Sequence, residues 1–160
     1  MTASAFRVER AAPVRVDVLL ADSVAVGADG KLDAQGAGWN LLYTDAVPTV
    51  HPRFGLGLLL RVPAGQERAH ELELRLEDPA GAELPLALAP AGAEAGARRI
   101  RAAFALDPPP PGVPLGEQVL ATGVNVDAVP LETAGVYRFV VAIDGADVAA
   151  AEFAVVVRAP

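Results

Sequence analysis

The chain contains no cysteine among its 160 residues, and it has few other reactive side chains. Without thiols it forms no disulfide, thiolate zinc site or iron–sulfur cluster. Serine occurs only as Ser4 and Ser23, and histidine only as His51 and His70. Because nucleophilic and metal centres are built from such groups, we expect no catalytic residue, no metal and no cofactor.

Positive charge is also scarce, since Lys31 is the only lysine and the formal net charge is −7. Nucleic-acid binding depends on a basic surface that neutralises phosphates. No apolar run approaches the roughly 20 residues that cross a bilayer, and the N-terminus lacks the apolar region of a signal peptide. The sequence therefore predicts a cytoplasmic protein that binds neither nucleic acid nor a membrane.

Helical patterning is nearly absent, whereas apolar residues alternate with polar or small ones along most of the chain. This period of two is typical of strands with one buried face. The buried faces are predicted to carry Val14, Val16, Val18 and Leu20; Phe54, Leu56, Leu58, Leu60 and Val62; Leu72, Leu74 and Leu76; Ile100, Phe104 and Leu106; Leu120, Val124 and Val126; Tyr137, Phe139, Val141 and Ile143; and Phe153, Val155 and Val157. We count about 8–10 short strands.

Turn residues separate these strands. Asp29-Gly30 and Asp144-Gly145 predict type I′ hairpins, in which both central residues have positive φ. Asp78-Pro79-Ala80-Gly81 predicts a type I turn, because proline presets φ at its second position. Pro85 cannot donate to a strand ladder, so its strand is expected at a sheet edge.

Two segments bear on the domain organisation. The residues 89–99 are rich in alanine but interrupted by proline and glycine, and we expect a surface loop. The prolines at 108–111 predict an extended segment, either a linker or a long loop, and we favour the loop because neither half has enough strands alone. The expected division is a flexible segment at 1–12 and a single β domain at 13–158.

Many short strands without crossover helices favour an all-β, immunoglobulin-like antiparallel β-sandwich. Gly135-Val136-Tyr137 begins the strand before the last hairpin. It resembles a tyrosine corner, in which a buried ring bonds the preceding chain through its hydroxyl.

The order of several motifs resembles an uncharacterised bacterial family of small all-β domains of unknown function. The motifs are Ala21-Asp22, Asp29-Gly30-Lys31-Leu32, Gly38-Trp39, His51-Pro52, the strand 56–62 and Gly135-Val136-Tyr137 leading to Ile143-Asp144-Gly145. The resemblance covers about Val16 to Val157. It implies a single all-β domain and supplies no catalytic residue.

Other chemistry rests on weaker patterns. A hydrolase triad would need Ser23 to meet a histidine and a carboxylate, although Ser23 follows Asp22 in a predicted turn. Asp29 and Asp33 flank a hairpin and offer calcium ligands, with solvated turn carboxylates as the default. Trp39, the only tryptophan, is either a stacking platform for a ligand or a core anchor, and its size favours the core.

Large apolar residues also occupy strand faces that should meet water, namely Leu19, Leu59, Val140 and Val156. A solvated sheet face should be polar at these positions. They therefore suggest a surface covered by a loop, by another copy of the chain or by a partner.

The leading functional hypothesis is a non-catalytic protein-binding or assembly module that presents an apolar sheet face or edge to a protein partner or to itself. The alternative is a sandwich that binds a small ligand or carbohydrate through Trp39 and loop carboxylates. A third hypothesis is a hydrolase whose residues, such as His51, His70 and Asp22, converge only in three dimensions.

Overall fold

The computed structural model describes residues 12–88 and 96–158, and these contain strands and no helix. The strands are β1 Arg15–Ala21, β2 Ser23–Val26, β3 Leu32–Gln35, β4 Leu41–Thr44, β5 Thr49–Pro63, β6 His70–Glu77, β7 Ala87–Leu88, β8 Arg99–Phe104, β9 Glu117–Leu131, β10 Gly135–Ile143 and β11 Ala146–Val157. The all-β prediction is confirmed. The 11 strands slightly exceed the expected number, and β5 and β9 are long, at 15 residues each.

The strands form two larger sheets and a small hairpin. The first sheet has the order β1-β5-β9-β7, and the second has the order β4-β11-β10-β6-β8. The hairpin pairs β2 with β3. Pairing is antiparallel except between β4 and β11, which run parallel, so the expectation of a purely antiparallel fold is wrong at this one place.

One hydrophobic core lies between the two sheets, because the inward residues of both belong to the same buried cluster. Phe54 of β5 contacts Phe139 of β10 and Phe153 of β11, with ring centroids 5.6 and 4.8 Å apart. The inward sets are those that the alternation predicts on β1, β5, β6 and β10. Burying such side chains removes apolar surface from water at about 25 cal/mol per Å², the main favourable contribution to folding.

The predicted tyrosine corner is present at the start of β10. The Tyr137 ring is fully buried and stacks on Phe153 at 5.4 Å. Its hydroxyl donates to the Thr133 carbonyl at 2.8 Å and accepts from the Thr133 N–H at 3.3 Å. This contact fixes the chain just before the strand enters the sheet.

The turn predictions have mixed outcomes. Asp144 and Gly145 have φ of 51° and 81°, as the predicted type I′ hairpin requires. The Gly81 N–H donates to the Asp78 carbonyl at 2.9 Å, which closes the predicted turn. The type I′ prediction for Asp29-Gly30 is wrong, because only Gly30 has positive φ. That turn spans five residues, and the Gly27 N–H closes it on the Lys31 carbonyl at 2.9 Å.

The remaining segments lie at the periphery. The short strand β7 forms an edge of the first sheet, as the nearby Pro85 predicts. The proline segment joins β8 of the second sheet to β9 of the first. The predicted flexible segment 1–12 lies almost wholly outside the described residues, as do positions 89–95 of the predicted surface loop. Within the described ranges no helix is long and apolar enough to cross a bilayer.

Candidate functional site

The four residues predicted to form an interface do not lie together. Leu19 and Leu59 belong to β1 and β5 of the first sheet, whereas Val140 and Val156 belong to β10 and β11 of the second. Leu19 is 37% exposed, and Leu59 and Val156 are partly buried. Val140 is only 3% exposed, so the expectation that it offers an open apolar surface is wrong.

Val140 is buried because charged side chains cover the centre of the second sheet. Its cross-strand neighbour on β6 is Arg75, whose guanidinium bonds Asp147 through two contacts of 2.8 Å and Glu77 at 2.8 Å. These carboxylates raise the pKa of Arg75 above its ordinary value. A held arginine lays its aliphatic stem along the sheet, which shields the valine beneath it from water.

The same outer face carries further ion pairs on both sides of Arg75. Arg99 and Arg101 of β8 contact Glu73 of β6 at 2.7 and 2.8 Å. On the other side, Arg138 contacts Glu152 at 3.2 Å. These charges are therefore paired within the chain, and they cover the apolar residues at the centre of the sheet.

The outer face of the first sheet is covered in part by the chain itself. The β2–β3 hairpin lies on it above glycines of β5 and β9, and a Cβ added at Gly55 would lie 2.7 Å from the Ser23 backbone. Asn125 secures the hairpin, since its side-chain amide exchanges two 2.9 Å hydrogen bonds with the backbone of Val24. The hairpin therefore covers Gly55, Gly57 and Gly123 on this face.

An exposed apolar surface lies instead at the β4 edge of the second sheet, where the Arg158 guanidinium lies over the Tyr43 ring at 5.2 Å from its centroid. We call it the β4 patch, and it comprises Leu41, Tyr43, Val136 and Val156. Leu41 and Tyr43 are each 51% exposed, and Val136 is 48% exposed. They lie side by side because Leu41 pairs with Ala154, which in turn pairs with Val136, while Tyr43 pairs with Val156.

The backbone of β4 is paired on one side only among the described strands. The carbonyls of Asn40 and Thr44 accept hydrogen bonds from the N–H groups of Ala154 and Arg158, at 2.8 and 2.9 Å. Since successive residues of a strand point their peptide groups in opposite directions, Leu41 and Tyr43 present theirs to the open side. A groove of about 190 Å³ runs along that side, lined by Leu42, Tyr43, Thr44, Thr49, Val50, His51 and Leu131.

The four sheet edges differ in how they are protected against pairing. Natural edges are blunted by charges, proline or short length. The edge strand β1 carries Arg15 and Asp17, the edge strand β8 carries Arg99 and Arg101, and β7 has two residues close to Pro85. The strand β4, with the sequence LLYT, carries none of these charges or prolines.

Trp39 lies just before β4 and packs among aromatic side chains. Its ring centroid is 5.6 Å from Phe54 and 6.3 Å from both Phe153 and His51. The strand β4 begins two residues after Trp39, at Leu41. These contacts occupy the indole with core partners, which favours the anchoring role over the stacking platform.

The histidines occupy separate places. His70 is 4% exposed, and its ring nitrogens lie 2.8 Å from the Gln66 carbonyl oxygen and 2.8 Å from Asp144 Oδ2. Both nitrogens face acceptors, so neither is available to a substrate. Hydrogen bonds from the Glu71 N–H and from His70 hold the pKa of Asp144 below its ordinary value. The pair fastens the last hairpin to the start of β6, beside a cavity of about 560 Å³.

The other predicted chemistry is dispersed. Ser23 Oγ lies 3.3 Å from Gln35 Oε1 within the β2–β3 hairpin, so the hydroxyl contacts an amide. Burial lowers the pKa of His51, which lies against Trp39 and Phe54. Asp29 forms an exposed ion pair with Lys31 at 2.8 Å. Across residues 12–88 and 96–158, no three His, Asp or Glu side chains are arranged to hold a metal ion.

No pattern in the sequence placed Leu41, Tyr43 or Val136 on an exposed surface. The sequence of β4, LLYT, is an uncharged tetrapeptide between a glycine-rich and a proline-containing turn, and an ordinary buried strand has the same pattern. Only the position of β4 at a sheet edge turns it into a candidate binding element.

Comparison with known proteins supports the resemblance and adds no activity. No curated protein and no solved structure matches the chain. A family model described as a family of unknown function, DUF6941, matches residues 17–156, which agrees with the range that the motifs covered. The chain therefore belongs to the DUF6941 family of unknown function.

Proposed function

We propose that the chain is a non-catalytic assembly module that pairs the free edge of β4 with β4 of a second copy. The observation that carries the proposal is an edge strand, β4, that is unpaired on one side among the described strands and has no charged residue, together with the exposed side chains of Leu41 and Tyr43. Adding a strand to an open edge supplies main-chain hydrogen bonds, and side chains on alternate residues supply specificity.

The β4 sequence is complementary to itself in the antiparallel direction. A two-fold axis at Leu42 places Leu41 of each copy opposite Tyr43 of the other copy. Because Leu41 and Tyr43 both point outward, the two pairs lie on the outer face of the joined sheet. The residues that meet are also those whose peptide groups point to the open side, so the two pairs exchange four hydrogen bonds. Aromatic–aliphatic cross-strand pairs contribute roughly 0.2–1 kcal/mol each. A two-fold interface of this kind uses the same patch on both copies.

Sedimentation of the purified chain tests the proposal. We expect the wild-type protein to form a dimer, and Tyr43→Lys to be monomeric, because a lysine on an edge strand opposes pairing. The matched control is Val119→Lys, since Val119 is 52% exposed but lies on the first sheet. Circular dichroism establishes that both variants retain the strand spectrum.

Two results would overturn the proposal. One is a wild-type chain that stays monomeric up to about 1 mM, because any association is then weaker than about −4 kcal/mol. The other is a dimer that Tyr43→Lys leaves intact. Dissociation of the dimer by Val119→Lys alone would place the interface on the first sheet.

We also propose that the fold is immunoglobulin-like. The order β1-β5-β9-β7 corresponds to strands A, B, E and D, and β11-β10-β6-β8 corresponds to G, F, C and C′. The Tyr137 hydroxyl contact at the start of β10 supports the match, since a tyrosine corner marks strand F. The chain departs from this pattern where β7 precedes β8, and where β2, β3 and β4 are inserted after β1. An experimental structure tests the assignment, and a different sheet order would refute it.

A further inference from the structure

A second feature lies on the side of the molecule opposite β4, where the two sheets leave a gap. The strand β7 pairs with only Val126 and Asp127 of β9, so the preceding part of β9 has no neighbour on that side among the described strands. The second sheet ends there at β8. Between β8 and β9 the structure contains a cavity of about 160 Å³, lined by Leu58, Leu72, Leu74, Ile100, Ala102, Thr122, Gly123 and Val124.

The cavity reaches into the hydrophobic core. Leu58 and Leu74 are each 2% exposed and Leu72 is 9% exposed, so the inner wall is formed by core side chains. Ile100 and Val124 are partly buried, and Ala102 at the mouth is exposed. Ala102 therefore leaves the entrance open at a position of β8 where a larger side chain would close it.

The lining disfavours water. A buried water needs two to four polar partners, and Thr122 supplies the only polar side chain of the lining. An enclosed apolar cavity of about 150 Å³ stays dry and binds benzene or xenon, and the present cavity has a similar volume but opens to solvent beside Ala102. Sites for drug-sized ligands are larger, at about 300–1,000 Å³.

We propose that this cavity binds a small apolar molecule, a simple aromatic ring or branched alkyl compound of about the size of benzene. Its affinity would come from apolar surface removed from water, and the Thr122 hydroxyl is placed to bond a single polar substituent. The site shares no residue with the β4 patch, so it stands independently of the proposed assembly function.

Nuclear magnetic resonance titration with benzene tests the site on the full chain. We expect saturable shifts confined to the methyl groups of Leu58, Leu74, Ile100 and Val124. The variant Ala102→Phe fills the mouth from β8 and should weaken benzene binding at least about tenfold, that is, by about 1.4 kcal/mol.

The matched control is Ala103→Phe, which adds the same ring on the opposite face of β8, where Ala103 pairs with Glu71. This variant should bind benzene as the wild type does, and its spectrum shows that a phenylalanine on β8 is tolerated. The proposal is refuted if benzene gives no saturable shifts up to its solubility. It is refuted equally if Ala102→Phe and Ala103→Phe bind benzene alike. Neither result depends on whether Tyr43→Lys changes the sedimentation of the chain.

Discussion

The tyrosine corner gives the sharpest test of how this fold is held together, through the substitution Tyr137→Phe. The change removes one hydroxyl and keeps the ring that stacks on Phe153 at 5.4 Å. It deletes the 2.8 Å bond to the Thr133 carbonyl and the 3.3 Å bond from the Thr133 N–H. A neutral hydrogen bond contributes about 0.5–1.5 kcal/mol net, and a buried group left without a partner costs about 1–3 kcal/mol.

The hydrogen bonds to the Thr133 N–H and carbonyl are only part-buried, so water reaches these two groups when the phenol hydroxyl is removed. We therefore expect Tyr137→Phe to lower the free energy of unfolding by about 1–2 kcal/mol, near the overlap of those ranges. For a chain of this size each kcal/mol lowers the Tm by about 2–4 °C. Urea titration with an unchanged m-value would show that stability changed and the denatured state did not.

Tyr43 provides the control, since it is the only other tyrosine and its side chain is largely open to solvent. Tyr43→Phe should alter the unfolding free energy by less than about 0.5 kcal/mol, as surface changes usually do. Dilute protein is used so that association does not contribute to the measured stability. Equal effects of the two substitutions would show that the Tyr137 hydroxyl does not anchor β10.

Two further predictions concern the hairpins. Gly55→Ala places a Cβ against the Ser23 backbone at 2.7 Å, so it should lower the free energy of unfolding, measured by urea titration, by about 1–3 kcal/mol. The control Gly116→Ala adds its Cβ in open space and should leave the stability unchanged. Equal stability of the two variants would mean that the β2–β3 hairpin does not lie tightly on β5. The pKa of Asp144 is lower in the folded chain than in the unfolded chain, where an aspartate has a pKa of about 4. The ionised carboxylate therefore stabilises the fold fully above about pH 4, and this stabilisation is lost as the pH falls through the pKa of the folded state. The stability difference between wild type and Asp144→Asn should accordingly narrow between about pH 5 and pH 3. A difference that stays constant over that range would contradict the assigned role of the carboxylate.

Much of the architecture could be predicted because it is local. Alternation with a period of two assigns an inward face without knowledge of the neighbouring strand, which is why Leu72, Leu74 and Leu76 were placed correctly in the core. The Asp144-Gly145 hairpin followed from two adjacent residues that tolerate positive φ. The same reasoning failed at Asp29-Gly30, because the longer loop that starts at Gly27 relieves Asp29 of that requirement.

The candidate site was missed because exposure of an outward residue depends on strands far away in sequence. Val140 and Tyr43 both stand on outward positions of the second sheet. Val140 lies at its centre, where Arg75 from β6 covers it, while Tyr43 lies on an edge strand beside a single neighbour. No pattern within β4 or β10 distinguishes these two environments.

The sequence alone determined which side chains turn inward, where the chain reverses and how few reactive groups it carries, since each of these follows from neighbouring residues and composition. Tertiary structure decided which outward surfaces remain open: the hairpin over Gly55, the charge network over Val140, the unpaired edge of β4 and the gap between β8 and β9. Strand order and register join residues more than a hundred positions apart, as Val24 and Asn125 show, and local propensity carries no information about such pairs.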